Sequence, residues 1–139
     1  MLGDMKNQPH LQLLESAVKQ YSDGDYREAV VLAHIAIEVI ADQALVSWIN
    51  RAQPMSLRQW LVRQIENNHN LGTTKASKLY EALSQDMITE QVFWRDFVTA
   101  NQLRNDVMHE GIDVSQKQAL AALQNAKQVI QHLLAHLPE

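Results

Sequence analysis

The chain has 139 residues, a formal net charge of -4 and no cysteine, and 46% of its residues are hydrophobic. This length fits one domain that buries roughly two-thirds of the surface exposed by its unfolded chain. The lack of cysteine excludes disulfides, thiolate metal sites and a cysteine nucleophile, and it favours a cytoplasmic location. The acidic balance excludes nucleic-acid binding by bulk electrostatics, because counterion release needs several clustered Lys or Arg side chains.

Apolar residues recur every three or four positions rather than at alternate positions, which predicts an all-α fold. The pattern predicts a flexible N-terminus over 1–9, followed over 10–137 by a single-domain bundle of about five to six helices with a long central helix. The predicted helices cover 10–21, 26–50, 56–67, 73–85 and 89–110, and a last helix, capped by Asp113 or Ser115, reaches 137.

The second predicted helix is apolar over most of its circumference, as expected for a buried central element. Asp25 is its expected N-cap. Its most apolar stretch, 29–49, is interrupted by His34, Glu38 and Asp42, and the N-terminus lacks the basic start and apolar stretch of a secretory signal. We therefore expect neither export nor membrane insertion.

Arg104 and His109 lie near the end of the fifth predicted helix, before Gly111, the expected left-handed residue that ends it. Arginine is a permanent cation that binds phosphate oxygens as a fork, and histidine, with an ordinary pKa of about 6.5, suits proton transfer at neutral pH. The pair predicts attack on a phosphodiester. Asn105 and Asn101 precede His109 at four-residue steps, so they form either a substrate-binding face or a solvated stripe.

Two segments of the chain resemble the HEPN family, the small α-helical domains of prokaryotic toxins, defence proteins and some eukaryotic factors. The first is the turn 23–26 followed by the alanine-rich segment 33–38. The second is Arg104, Asn105 and His109, which match the family's Arg, polar residue, short spacer and His near a helix end. The resemblance covers most of the chain. It implies a metal-independent endoribonuclease that works as a homodimer, with two Arg and His pairs lining a shared cleft.

The resemblance also implies the roles of individual residues. His109 takes the proton from a ribose 2′-hydroxyl, which attacks the adjacent phosphorus, while Arg104 stabilises the phosphoryl oxygens. Glu38 is expected near the cleft, paired with Arg104. No metal or cofactor is required, and DNA, which lacks the 2′-hydroxyl, is not a substrate. The implied partners are RNA, a second copy of the chain and an antitoxin, in this family often a small nucleotidyltransferase-like protein.

Helix geometry limits how Arg104 and His109 act together. Five steps of about 100° place His109 about 140° around the helix from Arg104, so the two side chains do not share a face. Either the last helical turn unwinds toward Gly111, or a second copy of the chain completes the cleft. A two-fold axis near this helix would also bring two Arg104 cations together.

Other interpretations remain open. A non-catalytic HEPN-like module that binds a nucleotide or a partner protein is the main alternative, and a helical adaptor unrelated to RNA is another. Cations such as Arg104 and His109 in a last helical turn also offset the helix dipole by about 0.3–1 kcal/mol without any catalytic role. His34, Glu38 and Asp42, at four-residue intervals without a further ligand cluster, predict a solvated or dimer-facing stripe rather than a zinc site.

Aromatic residues in the chain have two interpretations, base stacking and core packing. The helical spacing of Trp48, Trp60 and Trp94 favours core packing, and Val92 is expected to face inward with its neighbours. The other histidines are scattered and receive no predicted role: His10, His69, His132 and His136.

Overall fold

The computed structural model describes residues 8–65 and 70–138, and the regular elements of these residues are all helical. The elements are α1 (Pro9–Ser22), α2 (Tyr26–Ile49), α3 (Met55–Ile65), α4 (Thr74–Ser84), a 3-10 helix (Ile88–Glu90), α5 (Trp94–Glu110) and α6 (Gln116–Ala135). The predicted all-α bundle is confirmed. Of the segment predicted to be flexible, residues 1–7 lie outside the described residues, and Pro9 already belongs to α1, where proline suits the first helical turn.

Helix α2 is the central element of the bundle. It packs against α1 and α6 along much of its length, and also against α3, α4 and α5. Eleven of its 24 residues are buried. By length and apolar composition alone α2 is also able to cross a membrane, with a mean hydropathy of 1.8, but 56% of that apolar stretch is buried inside the protein. Packing on several sides accounts for the same composition.

The buried apolar residues form two clusters. The larger one runs through the bundle and includes Ile40 and Leu45 of α2, Phe97 of α5 and Leu133 of α6. The smaller one lies where α5 ends and α6 begins: Val30, Ala100, Val114, Ala119 and Ala122, with Leu103 and Val107 packed against them. The smaller cluster therefore supports the part of α5 that carries the candidate motif.

The ends of the helices follow local sequence signals. Gly111 is left-handed, with φ 62°, and its N–H donates to Val107 O, as predicted for the residue that ends α5. Of the two predicted caps of α6, Ser115 is the one present: its Oγ accepts from Gln118 N, and Gln118 Oε1 accepts from Ser115 N. Asp25 occupies the N-cap position of α2, but its side chain makes no capping hydrogen bond there.

Three sequence expectations about the helices and their packing are wrong. Helix α5 begins at Trp94 rather than at 89, because the 3-10 helix and an extended Gln91 interrupt the helical path. Val92, in this connection, is 98% exposed instead of facing inward. Trp60 is 51% exposed, because α3 buries only Leu61 and Ile65 and leaves the face with Trp60 open.

Candidate functional site

Arg104 lies on the face of α5 that meets α2, and its side chain is 23% exposed. Its Nη2 donates to Glu38 Oε1 at 3.0 Å, and its Nη1 donates to Asn105 Oδ1 at 3.1 Å. The expected contact between Glu38 and Arg104 is therefore present. Two acceptors therefore hold the guanidinium in one orientation.

His34 lies beside this ion pair and is only 3% exposed. Its ring stacks on Phe97 of α5, with centroids 6.1 Å apart and planes inclined by 12°. Its Nε2 lies 3.3 Å from Glu38 Oε1, but the contact is poorly aligned. The predicted solvated stripe is wrong for His34, because a four-residue polar spacing marks one face of a helix without revealing which neighbouring helix covers it.

The carboxyl group of Glu38 is shared between His34 and Arg104. Its pKa is held below the ordinary value of 4.5. The close contact with His34 is the largest cause, burial acts in the opposite direction, and the charges of His34 and Arg104 lower the pKa further. Glu38 is therefore ionised at neutral pH and offers Arg104 a charged acceptor.

His109 lies in the last turn of α5 and is exposed. Within residues 8–65 and 70–138 it makes no hydrogen bond, ion pair or ring contact. One chain therefore does not join His109 to Arg104 by any such contact, in agreement with the 140° separation expected from their spacing. An exposed imidazole at a fixed helix end is available to a ligand or to another chain.

The predicted polar stripe of Asn101, Asn105 and His109 is divided among different neighbours. Asn105 accepts from Arg104, as described above, whereas Asn101 Oδ1 accepts from Asn70 Nδ2 at 3.4 Å. The Asn101 amide also lies so close to Gly72 that a Cβ there would be 2.6 Å from Nδ2. Asn101 thus contacts the turn before α4, and only Asn105 touches the guanidinium.

Arg27, near the start of α2, contacts the end of α5, a role that the sequence did not predict. Its Nη1 donates to Gly111 O at 3.2 Å, which places a cation at the C-terminal end of α5, where the helix dipole favours one. Because Arg27 precedes Glu38 on α2 while Gly111 follows Arg104, the two contacts show that α2 and α5 run antiparallel here. They fix the last turns of α5 against the central helix.

Two surface grooves flank α5. One, of about 520 Å³, lies between α1, α2 and the end of α5 and includes Arg27, Val31 and Met108. The other, of about 540 Å³, lies between α5 and α6. Neither groove is lined by Arg104 or His109. The motif therefore lies outside both grooves.

A second group of polar side chains lies at the far end of α6. Asp86, His132 and His136 each place one potential ligand atom within 4.8 Å of the others. The four-residue spacing of the two histidines is a sequence signal for a shared helix face. Asp86, 46 positions before His132, has no such signal, and only the fold brings it to them.

Comparisons with known proteins identify no relative. No model of a known protein family matches the chain, and no curated protein or solved structure matches it at the level required for a significant likeness.

Proposed function

We propose that this chain is a metal-independent endoribonuclease of the HEPN type, acting as a homodimer. The observation that carries the proposal is the state of Arg104: its side chain is mostly withdrawn from solvent, and its guanidinium is held by Glu38 and Asn105. Five residues further on, His109 stands exposed at a helix end fixed by Gly111. A positioned cation and a free imidazole are the two groups that transesterification of RNA needs.

The reaction uses a nucleophile that belongs to the substrate. His109 accepts the proton of a ribose 2′-hydroxyl, and the 2′-oxygen forms a bond to the adjacent phosphorus. The bond from phosphorus to the 5′-oxygen breaks, and that oxygen leaves with a proton from water. Arg104 stabilises the negative charge on the phosphoryl oxygens during attack. The products are a 2′,3′-cyclic phosphate and a 5′-hydroxyl end, and DNA is not cleaved.

In the proposed dimer, a second copy of the chain brings a His109 close to Arg104. Arg104 and His109 of one chain point about 140° apart around α5, so a two-fold axis beside α5 lets the histidine of one copy face the arginine of the other. Pairing of two copies also brings two Arg104 guanidinium groups together on an otherwise acidic protein, each beside its own Glu38.

Glu38 competes with substrate for the Arg104 guanidinium. It neutralises Arg104 in the free protein, so an RNA phosphate must share the guanidinium with Glu38 or displace it. Arginine has five N–H donors, and the two described hydrogen bonds leave Nη donors for a phosphate. We expect Glu38 and Asn105 to orient the guanidinium rather than to take part in proton transfer.

An enzyme that cleaves cellular RNA must be restrained in its own cell. The proposal therefore includes a toxin or defence role in the cytoplasm, with an inhibitory partner such as a nucleotidyltransferase-like antitoxin. Expression of the chain alone should arrest growth, and His109→Ala should relieve the arrest.

A non-catalytic module that binds a nucleotide or a partner protein is the second candidate. The neutralisation of Arg104 by Glu38, together with the lack of contact between Arg104 and His109, favours it. In that function Arg104 contacts a ligand phosphate, and His109 is a helix-end cation without a role in chemistry.

Cleavage of a labelled mixed-sequence RNA in the presence of EDTA tests the proposal. The purified wild type should cleave, while Arg104→Ala and His109→Ala should each lose about 100-fold or more of the rate, as expected for removal of a charge stabiliser or a general base. Arg95→Ala removes an exposed cation from the same helix, and Met108→Ala changes an exposed neighbour of His109. Both controls should cleave normally.

Substrate controls make the outcome specific. An oligonucleotide of the same sequence in DNA should remain intact, and the RNA products should carry cyclic phosphate ends. If folded wild-type dimer leaves several RNAs intact, the enzyme proposal fails. Binding of RNA or nucleotides that Arg104→Ala abolishes and His109→Ala does not would then identify the binding module.

A further inference from the structure

Asp86 presents a carboxylate that the fold holds in place immediately after α4. Its side chain is buried, and its Oδ2 accepts a hydrogen bond from Tyr80 Oη at 2.7 Å. Its own N–H donates to Ser84 Oγ at 3.0 Å. Burial, and then the hydrogen bond and charge of Asp86, raise the pKa of Tyr80, so the phenol keeps its proton and remains the donor.

His132, in the last turn of α6, faces this carboxylate directly. Its Nε2 lies 2.8 Å from Oδ2 and 3.0 Å from Oδ1 of Asp86. Its ring and that of Phe93 meet edge to face, with centroids 5.1 Å apart. The side chains of both residues are largely withdrawn from water, with 13% of His132 and 5% of Asp86 exposed. A nitrogen and a carboxylate oxygen therefore meet at a rigid, partly desolvated point.

His136 follows one helical turn later, immediately after α6. Its ring stacks on His132 with centroids 4.1 Å apart. Its Nδ1 lies 2.7 Å from His132 O. Because a carbonyl oxygen can accept a hydrogen bond but cannot donate one, Nδ1 carries the proton and Nε2 keeps its lone pair. The backbone is fixed as well, because Trp48 Nε1 donates to His136 O at 3.2 Å. The second histidine thus arrives with its tautomer already selected.

We propose that Asp86, His132 and His136 bind one divalent cation of the zinc class. Tetrahedral coordination at about 2.1 Å separates ligand atoms by roughly 3.4 Å. The three potential ligand atoms already lie within 4.8 Å of one another, so small side-chain shifts bring them to that spacing. Imidazole nitrogens favour zinc and related transition metals over magnesium and calcium, which prefer oxygen ligands.

The surroundings of the three residues match those of known metal ligands. Metal-bound histidines usually donate their other ring N–H to a carbonyl or carboxylate, and metal-bound carboxylates accept a further hydrogen bond. His136 donates to a carbonyl and Asp86 accepts from Tyr80. Two histidines four residues apart also share a helix face, a recurrent arrangement in zinc sites. Three protein ligands leave a fourth position for water or another ligand.

The same three residues also have a purely structural account. A hydrogen-bonded chain from Tyr80 through Asp86 to His132 connects the end of α4 to α6 without any metal. Removal of Asp86 or His132 lowers stability in either case, because a buried partner is left unpaired. His136 separates the two accounts, since it is exposed and does not contact Asp86 in the hydrogen-bonded chain.

The proposal is tested by calorimetric titration of Zn²⁺ into the protein. The protein carries no polyhistidine tag and is first stripped of metal with EDTA and dialysed. The wild type should bind one ion per chain, and Co²⁺ in its place should give the strong visible absorption of a tetrahedral site. His136→Ala and Asp86→Asn should each weaken Zn²⁺ binding by about 10-fold or more. Gln131→Ala, an exposed change beside His132, should bind as the wild type does.

Thermal unfolding supplies the second measurement. Zn²⁺ should raise the melting temperature of the wild type more than that of His136→Ala at the same concentration, although the two should melt at similar temperatures without metal. Absence of saturable binding below about 100 µM, or equal affinity in the wild type and His136→Ala, overturns the proposal. Neither outcome affects the RNA proposal, because the two sites are far apart. Helix α6 is about 30 Å long, and the Arg104 and His109 motif lies near its N-terminal end, opposite the histidines.

Discussion

The C-terminal ends of α5 and α6 carry histidines in two different arrangements. At the end of α6, His132 and His136 are four residues apart, their rings stack, and both lie near Asp86 within one chain. On α5, Arg104 and His109 are five residues apart and have no contact described above. One residue of spacing changes the angle around a helix by about 100°, so the two histidines near Asp86 lie on one side of the helix end, whereas Arg104 and His109 do not share a face.

The two ends also differ in how their carboxylates are partnered. Glu38 pairs with the permanent cation of Arg104, so no proton is exchanged in that contact. Asp86 is bonded to Tyr80 and to a histidine nitrogen, where a metal ion can replace the shared proton. The end of α5 therefore suits orientation of a cation, and the end of α6 suits exchange of a proton for a metal.

Mixing two inactive variants gives the largest expected effect. It tests directly whether Arg104 and His109 act together across two chains. Arg104→Ala and His109→Ala should each be inactive on RNA alone. If each cleft takes its arginine and histidine from different chains, mixed dimers contain one intact cleft, and an equal mixture should recover about one-quarter of wild-type cleavage.

The two variants must be allowed to exchange subunits. Fusing them to tags of different size lets mixed dimers be separated and counted. Exchanged but inactive dimers would show that Arg104 and His109 act within one chain and not across two. A mixture of either variant with itself provides the matched baseline.

Tyr80→Phe should change the end of α6 alone. Loss of the hydroxyl removes the donor to Asp86 Oδ2, so Zn²⁺ affinity should fall by about 10-fold while RNA cleavage in EDTA stays the same. Calorimetry and the cleavage assay on the same preparation measure both. Tyr26→Phe, at the start of α2, is the matched control, and an equal fall in its Zn²⁺ affinity would contradict a specific role for Tyr80.

Gly111→Ala should act on the end of α5. A Cβ at this position meets nothing within 4 Å, so its cost is the left-handed backbone alone, about 1–2 kcal/mol in the free energy of unfolding. Gly24→Ala is the matched control, because Gly24 also has a positive φ, 82°, and open surroundings. Chemical denaturation should give similar losses for both, whereas only Gly111→Ala should also slow cleavage.

Glu38→Gln should produce the smallest effect, visible in the pH dependence of stability. The pKa of Glu38 in the folded protein is below 4.5, so its contribution is present above that pH and is lost as the pH falls through the lowered value. The wild type should therefore be the more stable protein at pH 7, and the difference should shrink in acid. A difference of the same size at pH 3 would contradict this origin, and Glu15→Gln, at an exposed position of α1, supplies the control.

Local patterns in the sequence predicted most of the fold. Helical periodicity and turn residues located the described α-helices to within a few residues apart from the start of α5, and Gly111 was correctly predicted to end α5. The start of α5 was missed because a 3-10 helix keeps apolar residues near helical spacing for a few positions. Burial of His34 was missed because its cover, Phe97, comes from a distant part of the chain.

The two candidate sites differ in how much of each was visible in the sequence. Arg104, Asn105 and His109 form a short motif on one helix, and Glu38 was paired with Arg104 through a family resemblance. Asp86 follows α4 in an irregular segment with no recurring spacing, so only tertiary packing could assign it to the histidines of α6. Their four-residue spacing was present in the sequence but was given no role.

Trp48 makes the end of α6 observable by its own fluorescence. Its indole N–H donates to His136 O, so the emitting ring lies beside the histidine that discriminates between the two accounts of this cluster. An open-shell ion such as Co²⁺ held by His136 should quench the emission of Trp48. In Trp48→Phe, only the other two tryptophans emit, and the quenching by Co²⁺ should be lost. The hydrogen bond that fixes the helix end thus also provides a label-free optical probe of it.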